Sequence, residues 1–276
     1  MRRLWAWVAA SATLAGGSAQ AATVEVRDAV ARVTVVPEAR SDVKVEIVRP
    51  NPRLPITVRT AMGGQVIVDG GLDHRIRGCH RAAGMPSVAV TGVGEVGWDE
   101  MPEIIIRTPL AVDLAAGGAV FGSVGRSATL SLSNAGCGDW TAANVAGALR
   151  LSQAGSGDAR IGKAASAHLR IAGSGDVAVA QVAGPVQVEV AGSGDVEVAG
   201  VAGPLDVRVA GSGDVRVAAG RAPVMNVSIA GSGDVEFGGV ADSLKAQITG
   251  SGDVRARQVT GQVEKRIIGH GAVRIG

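Results

Sequence analysis

Seven aspartates recur at nearly even spacing in this 276-residue sequence, and six of them end a Gly-Ser-Gly-Asp tetrapeptide. They are Asp139, Asp158, Asp176, Asp195, Asp214, Asp234 and Asp253. A row of carboxylates could supply the hard oxygen ligands that Ca²⁺ prefers, and a pair at a defined separation could be the acid and base of a glycosidase. Neighbouring carboxylates also repel one another, so other contacts must stabilise such a row.

The aspartate row has two interpretations. In the first, each carboxylate accepts hydrogen bonds from turn N–H groups while the flanking glycines supply positive φ, so the row maintains the fold. In the second, the row is a weak cation site between successive coils. The Ca²⁺-binding β-roll uses a Gly-Gly-x-Gly-x-Asp nonapeptide, and this sequence has neither that period nor its first glycine pair. We therefore predict no metal site and no cofactor, with a weak cation site as the alternative.

The elements that position these aspartates follow from an internal repeat. Nine related turns begin at residues 116, 136, 155, 173, 192, 211, 231, 250 and 269, at intervals of 18 to 20 residues. This period is too short for a strand, a packed helix and two connections, so each repeat is predicted to be one coil of a solenoid. The sequence predicts an all-β fold over residues 109–276, a right-handed parallel β-helix with about 19 residues per coil.

Alternation within each repeat predicts which side chains point inward. Two residues before each turn lies a column that is apolar except for Asn134 and Gln153, and we expect these two amides to hydrogen-bond to each other. An outward column two residues after the aspartates alternates in charge over its last four members, as stacking of neighbouring coils would favour. That column consists of Arg160, Ala178, Glu197, Arg216, Glu236 and Arg255.

The N-terminal region divides into two predicted segments. Residues 1–21 have two arginines, an apolar run and a small-residue end at Ala19-Gln20-Ala21, which is typical of a secretory signal peptide. Residues 22–108 keep the strand alternation without the repeat and are predicted to be a β-rich cap over the first coil. Neither segment contains the apolar length of a transmembrane span, so we expect an exported protein of the periplasm or cell surface.

Cys79 and Cys137 form a candidate disulfide, because exported proteins fold under oxidising conditions. Two unpaired thiols are the alternative. His74, Cys79 and His80 could also ligate a metal, although their segment is equally consistent with a solvated loop that carries a disulfide.

Charge and aromatic content exclude one class of partner and disfavour another. The chain has 27 basic and 25 acidic side chains, and the two counts become equal without Arg2 and Arg3. Nucleic-acid binders need a basic excess, and single-strand binders also need stacking rings, so nucleic acid is not expected as a partner. The absence of tyrosine and the presence of only four aromatic residues after the signal segment also disfavour a sugar groove built on rings.

The sequence resembles the head GIN domain family of autotransporter adhesins. The resemblance rests on the signal segment, on residues 109–112 leading into 116–125, on residues 134–139 and on the repeated Ala-Gly-Ser-Gly-Asp-Val. It implies an exported β-helical domain. We expect a non-enzymatic envelope protein, an adhesin-like or scaffold module that binds an unknown envelope component, either protein or polysaccharide. The alternative is a β-helix carbohydrate-active enzyme, a lyase or hydrolase, which should carry a long loop over one face.

Overall fold

The computed structural model describes residues 22–82 and 84–276, so the predicted signal segment lies outside the described residues. Within them the chain forms 26 β-strands and two short 3₁₀ helices, Asp73–Arg75 and Trp98–Glu100. The strands before the repeats are β1 (Ala22–Pro37), β2 (Lys44–Arg49), β3 (Thr57–Thr60), β4 (Val66–Asp69), β5 (Ile76–Ala82), β6 (Met85–Val90), β7 (Gly94–Gly97) and β8 (Glu103–Thr108).

The repeats supply the other eighteen strands. They are β9 (Ala111–Val124), β10 (Thr129–Asn134), β11 (Trp140–Ala142), β12 (Ala148–Gln153), β13 (Ala159–Ala164), β14 (Ser166–Ile171), β15 (Val177–Val182), β16 (Val186–Val190), β17 (Val196–Val198), β18 (Leu205–Gly211), β19 (Val215–Val217), β20 (Arg221–Ala222), β21 (Met225–Gly231), β22 (Val235–Ala241), β23 (Leu244–Gly250), β24 (Val254–Val259), β25 (Val263–Gly269) and β26 (Val273–Ile275).

These strands stack in parallel, each on the strand one coil away. The first stack runs β9, β10, β12, β14, β16, β18, β21, β23, β25, and the second runs β9, β11, β13, β15, β17, β19, β22, β24, β26. The prediction of a parallel β-helix with about 19 residues per coil is confirmed, and about nine turns are present. The Gly-Ser-Gly-Asp turn joins a strand of the first stack to the next strand of the second.

Alternating side chains fill one continuous core along the axis. In the coil that contains β18, Leu205, Val207 and Val209 are buried, whereas Arg208 is exposed. The same core extends from Val24 to Ala256. Nearly every inward position, Asn134 and Gln153 excepted, therefore removes an apolar side chain from water, which is the main source of stability in a fold whose coils contact only their neighbours.

The predicted alignment of the first repeat was wrong by two residues. Leu114 pairs with Leu132, whereas Asn134 pairs with Ala116. Gly136 lies against the backbone of Gly118, so the first turn is equivalent to residues 118 onward rather than 116 onward. The Ala-Gly-Gly-Ala run lacks the aspartate that marks the later copies, and composition alone did not establish its phase.

Parallel stacking also continues into the segment before residue 109. The long β1 lies parallel to β9, while β4 and β8 lie parallel to the two halves of β1. β2 and β3 then run antiparallel to β8 and β4. β5, β6 and β7 form a separate antiparallel sheet. This sheet packs over a second apolar cluster that includes Val88, Val96 and Phe121.

The short 3₁₀ helices are the only helical segments of the described residues, and neither has the length or apolarity that crossing a membrane requires.

Candidate functional site

The seven aspartates form a hydrogen-bonded ladder along one edge of the solenoid. The Oδ1 atom of each of the first six accepts the backbone N–H of the aspartate in the next coil, at 2.7 to 3.1 Å. The ladder ends where Asp253 Oδ1 accepts the N–H of Ala272 at 2.9 Å. The backbone carbonyl of Asp195 in turn accepts the N–H of Val177 from the preceding coil. Each aspartate thus bonds to both neighbouring coils.

Near both ends of the row, the Oδ2 atom of the carboxylate lies close to an arginine side chain. Arg81 lies 3.2 Å from Asp139 Oδ2, and Arg255 lies 3.3 Å from Asp234 Oδ2. The hydrogen bond from Arg274, with that from the Ala272 N–H, holds the pKa of Asp253 below its ordinary value. Among the described residues, no group of three or more His, Cys, Asp or Glu side chains is arranged to hold a metal ion.

We propose that the aspartate row stabilises the stacking of coils. Asp195→Ala should lower the free energy of unfolding by about 1 kcal/mol, because the N–H of Asp214 loses its acceptor. Asp195→Asn keeps an oxygen at that position and should cost less. Thermal unfolding of the two variants, with and without chelator, measures both effects. A melting temperature that rises by several degrees in millimolar Ca²⁺ would instead support the cation interpretation.

The glycines of the turn are required by close approach between coils. A Cβ placed at Gly192 would lie 2.3 Å from the carbonyl oxygen of Gly173, and the same clash recurs at Gly155, Gly173 and Gly231. Positive φ occurs at only some of these first glycines, including Gly231. The predicted role of glycine as a supplier of positive φ is therefore incomplete, since the missing side chain is what allows neighbouring turns to touch.

Gly192→Ala is expected to destabilise the protein by about 2–3 kcal/mol, because the new methyl group must push two backbones apart. Gly200→Ala is a matched control in the other turn of the same coil, since its nearest neighbour would lie at 3.8 Å. Equilibrium unfolding in denaturant compares the two. Equal effects would show that glycine acts here through flexibility alone.

The buried amides do not bind each other as predicted. Asn134 and Gln153 are buried and in register on adjacent strands. However, Asn134 Nδ2 donates to the carbonyl of Gly138, and Gln153 Nε2 donates to the carbonyl of Gly157. Each amide therefore closes its own turn by bonding to the carbonyl four residues ahead.

The predicted disulfide is confirmed. Cys79 and Cys137 are bonded, with their Cα atoms 5.8 Å apart across a sequence separation of 58 residues. Cys79 belongs to β5, and Cys137 occupies the position of the turn serine in the second coil. The bond therefore attaches the three-stranded sheet to the solenoid. His74 and His80 are exposed, and the bonded Cys79 is not available as a thiolate ligand for the metal site considered above.

Replacing both cysteines by serine should lower stability by about 2–4 kcal/mol, the usual range for closing a loop of this length. Cys137→Ser restores the repeat consensus, so the change itself should not disturb the turn. Calorimetry of the double variant and of the reduced wild-type protein provides the measurement. If both unfold as the oxidised protein does, the bond has no stabilising role.

A polar face covers the outside of the first stack. We call it the front face, and its two outward columns are Ser131, Arg150, His168, Gln187, Asp206, Asn226, Lys245 and Glu264, and Ser133, Ser152, Arg170, Glu189, Arg208, Ser228, Gln247 and Arg266. Arg170 lies 2.8 Å from Glu189, which holds the pKa of that carboxyl below its ordinary value. The predicted outward column of the second stack is also in register, with Arg216 3.5 Å from Glu236.

A concave region lies where the three-stranded sheet meets the solenoid, and the sequence did not predict it. The Arg32 guanidinium lies 5.1 Å from the ring centroid of Trp98, and Trp98 meets Phe121 edge-on at 5.7 Å. Arg32 also pairs with Glu103 at 3.1 Å. These residues come from three stretches of the chain, at residue 32, at residues 98–103 and at residue 121, and the scarcity of rings was the only sequence signal that could have drawn attention to Trp98 and Phe121.

Comparison with known proteins places the repeats in context. Residues 162–262 match the family model described as "Putative auto-transporter adhesin, head GIN domain", which confirms the predicted resemblance over that segment. No curated protein matches the sequence.

Three solved structures align with 93% of this chain. A "putative adhesin" from Parabacteroides distasonis ATCC 8503 is 17% identical, with 93% of each chain covered and a TM-score of 0.52. A "putative lipid binding protein" from the same organism is 16% identical, with 93% of this chain and 92% of that chain covered and a TM-score of 0.47. A "putative adhesin" from Bacteroides fragilis NCTC 9343 is 15% identical, with 93% of each chain covered and a TM-score of 0.43.

Proposed function

We propose that this protein is an exported, non-enzymatic module of the cell envelope, adhesin-like or a scaffold, and that its front face holds the partner. One observation carries the proposal. Eight parallel strands present sixteen polar side chains in two straight columns. Within each column, successive side chains are separated by the distance between neighbouring strands. Such a regular array matches an extended or repetitive partner, either a protein or a polysaccharide.

Two features support export to the periplasm or the cell surface. Residues 1–21 have the composition of a secretory signal. The bond between Cys79 and Cys137 forms and persists in oxidising compartments.

The regularity of the coils favours binding over catalysis. A β-helix enzyme should carry a long loop over one face, and the coils between residues 136 and 269 keep a period of 18 to 20 residues. The aspartates of that region repeat one hydrogen-bonding arrangement from coil to coil, so no two of them form a distinct acid and base pair.

A pull-down from envelope extract with residues 22–276 tests the proposal. Gln187→Ala, Asp206→Ala and Asn226→Ala together should abolish capture of the partner, because they remove hydrogen-bonding groups from the centre of the front face. The matched control removes Glu197, Arg216 and Glu236 from the second stack by alanine substitution. If capture survives the front-face changes and is lost with the control changes, the partner binds the other side of the solenoid.

A further inference from the structure

One end of the front face contains a shallow groove with hydrogen-bond donors and no acid. The groove has a volume of about 190 Å³. Its polar lining comes from three adjacent strands, β10, β12 and β14, and consists of Ser131, Ser133, Arg150, Ser152, His168 and Arg170. We call it the serine–arginine groove.

The basic groups of this groove differ in how far they are already paired. Arg170 donates to Glu189 from the next strand. Arg150 has no carboxylate within 4.0 Å among the described residues. The Nε2 atom of His168 is shielded from solvent and lies 3.7 Å from Glu189 Oε1, so this nitrogen is directed at an acid already present. Arg150 is therefore the basic group of the groove that is free to pair, and an unpaired guanidinium favours an added anion.

Neighbouring positions show what the groove lacks. In one column of the front face, Arg170, Glu189 and Arg208 follow one another and alternate in charge. On the other side of Arg170 the same column continues with Ser152 and Ser133 in place of an acid. Alternation therefore stops where the serines begin, and Arg150 in the neighbouring column lies between Ser131 and His168 rather than beside an acid.

We propose that the serine–arginine groove binds a phosphate group carried by a sugar chain, an inference that rests on the proposed function and names its partner class. The guanidinium fork of Arg150 and three hydroxyls offer more donors than the two oxygens of a carboxylate can use, whereas a phosphate monoester presents three terminal oxygens.

The surroundings of the groove favour a sugar chain over a membrane. Arg150 and His168 also line a longer groove of about 350 Å³, which continues past Gln187, Asp206 and Asn226. These amide and carboxylate groups can hydrogen-bond to hydroxyls along a chain whose phosphate lies at Arg150. Neither groove is lined by Phe, Tyr or Trp, the rings that commonly anchor a protein at a membrane surface.

The test is an NMR titration of residues 22–276 with glucose 6-phosphate, glucose and glucuronic acid as probes. Glucose 6-phosphate should shift the amide signals of Arg150, Ser152 and His168, and the other two probes should bind at least about fivefold more weakly. Arg150→Gln should weaken glucose 6-phosphate binding by about tenfold, the effect of losing a charge-assisted pair. Arg216→Gln makes the same charge change on the second stack and should leave affinity within about twofold.

Three results would overturn the inference. Glucuronic acid that binds as tightly as glucose 6-phosphate would show a general anion site. Equal affinity of the Arg150→Gln variant would place the phosphate elsewhere. Binding to vesicles of phosphatidylcholine and phosphatidylglycerol, without binding of glucose 6-phosphate, would identify a membrane surface instead. If any of these occurs while the front-face alanine variants still lose envelope capture, the proposed function stands and only the ligand class is wrong.

Discussion

Deletion of one whole coil, Gly192–Ala210, should yield a shorter protein that still folds. The new junction joins Ala191 to Gly211, which occupies the same position in the repeat as Gly192. Asp214 would then donate its N–H to Asp176, and β16 would stack on β21 with Val190 against Ile229. Because each coil contacts only its neighbours, the loss is one coil's share of the core.

Deletion of half a coil, Gly192–Gly200, is the matched control and should prevent cooperative folding. Every strand after the new junction shifts by half a coil, so that a strand of the first stack takes a place in the second stack. Turns after the junction then face strands of the earlier coils, and valines that pointed inward meet solvent. Circular dichroism during heating and size-exclusion chromatography distinguish the two products. If the whole-coil deletion unfolds the protein as badly as the half-coil deletion, coils do not act as nearest-neighbour units and contacts across many coils must stabilise the fold.

Val207→Asp should be the most damaging single substitution of the solenoid. Val207 is fully buried, with Val188 and Val227 on the two adjacent strands. Its replacement places a carboxylate in an apolar core without a cation or hydrogen-bond donor, at an expected cost of about 4–5 kcal/mol. The variant should unfold at a much lower denaturant concentration than the wild-type protein.

Ser228→Asp is the control for charge itself, since it adds the same side chain to the next strand of the stack. Ser228 is exposed and faces Arg208 on β18, so the new carboxylate gains a basic neighbour. Its effect on stability should lie within about 0.5 kcal/mol of zero. Similar losses from the two substitutions would mean that position 207 is not enclosed as the structure shows.

The repeated part of the fold follows from local sequence because each coil contacts only the coils next to it. Alternation at period two determined which side of each strand is apolar, and the even spacing brought Glu197 next to Arg216. The register was predictable for the copies that contain aspartate. It failed at the first copy, where Gly118 could be the third or the first residue of the turn, and contact with Gly136 shows that it is the first.

The details of the turn required coordinates. The donor to each aspartate belongs to the next coil, so the pattern of one repeat could not reveal it. Likewise, the sequence predicted that the amides of Asn134 and Gln153 bond to each other, and only the coordinates showed that each donates to a carbonyl of its own turn.

The sequence by itself determined the β-helix, its period, the inward and outward faces and the aspartate row, and it offered Cys79 and Cys137 as a candidate pair. Each of these depends on spacing along the chain or on the compartment in which it folds. Only the tertiary structure decided how the three-stranded sheet packs, which brings Arg32, Trp98 and Phe121 together from distant segments. It also decided that Arg150 lacks an acidic neighbour, because pairing between coils depends on side-chain conformations that spacing does not specify.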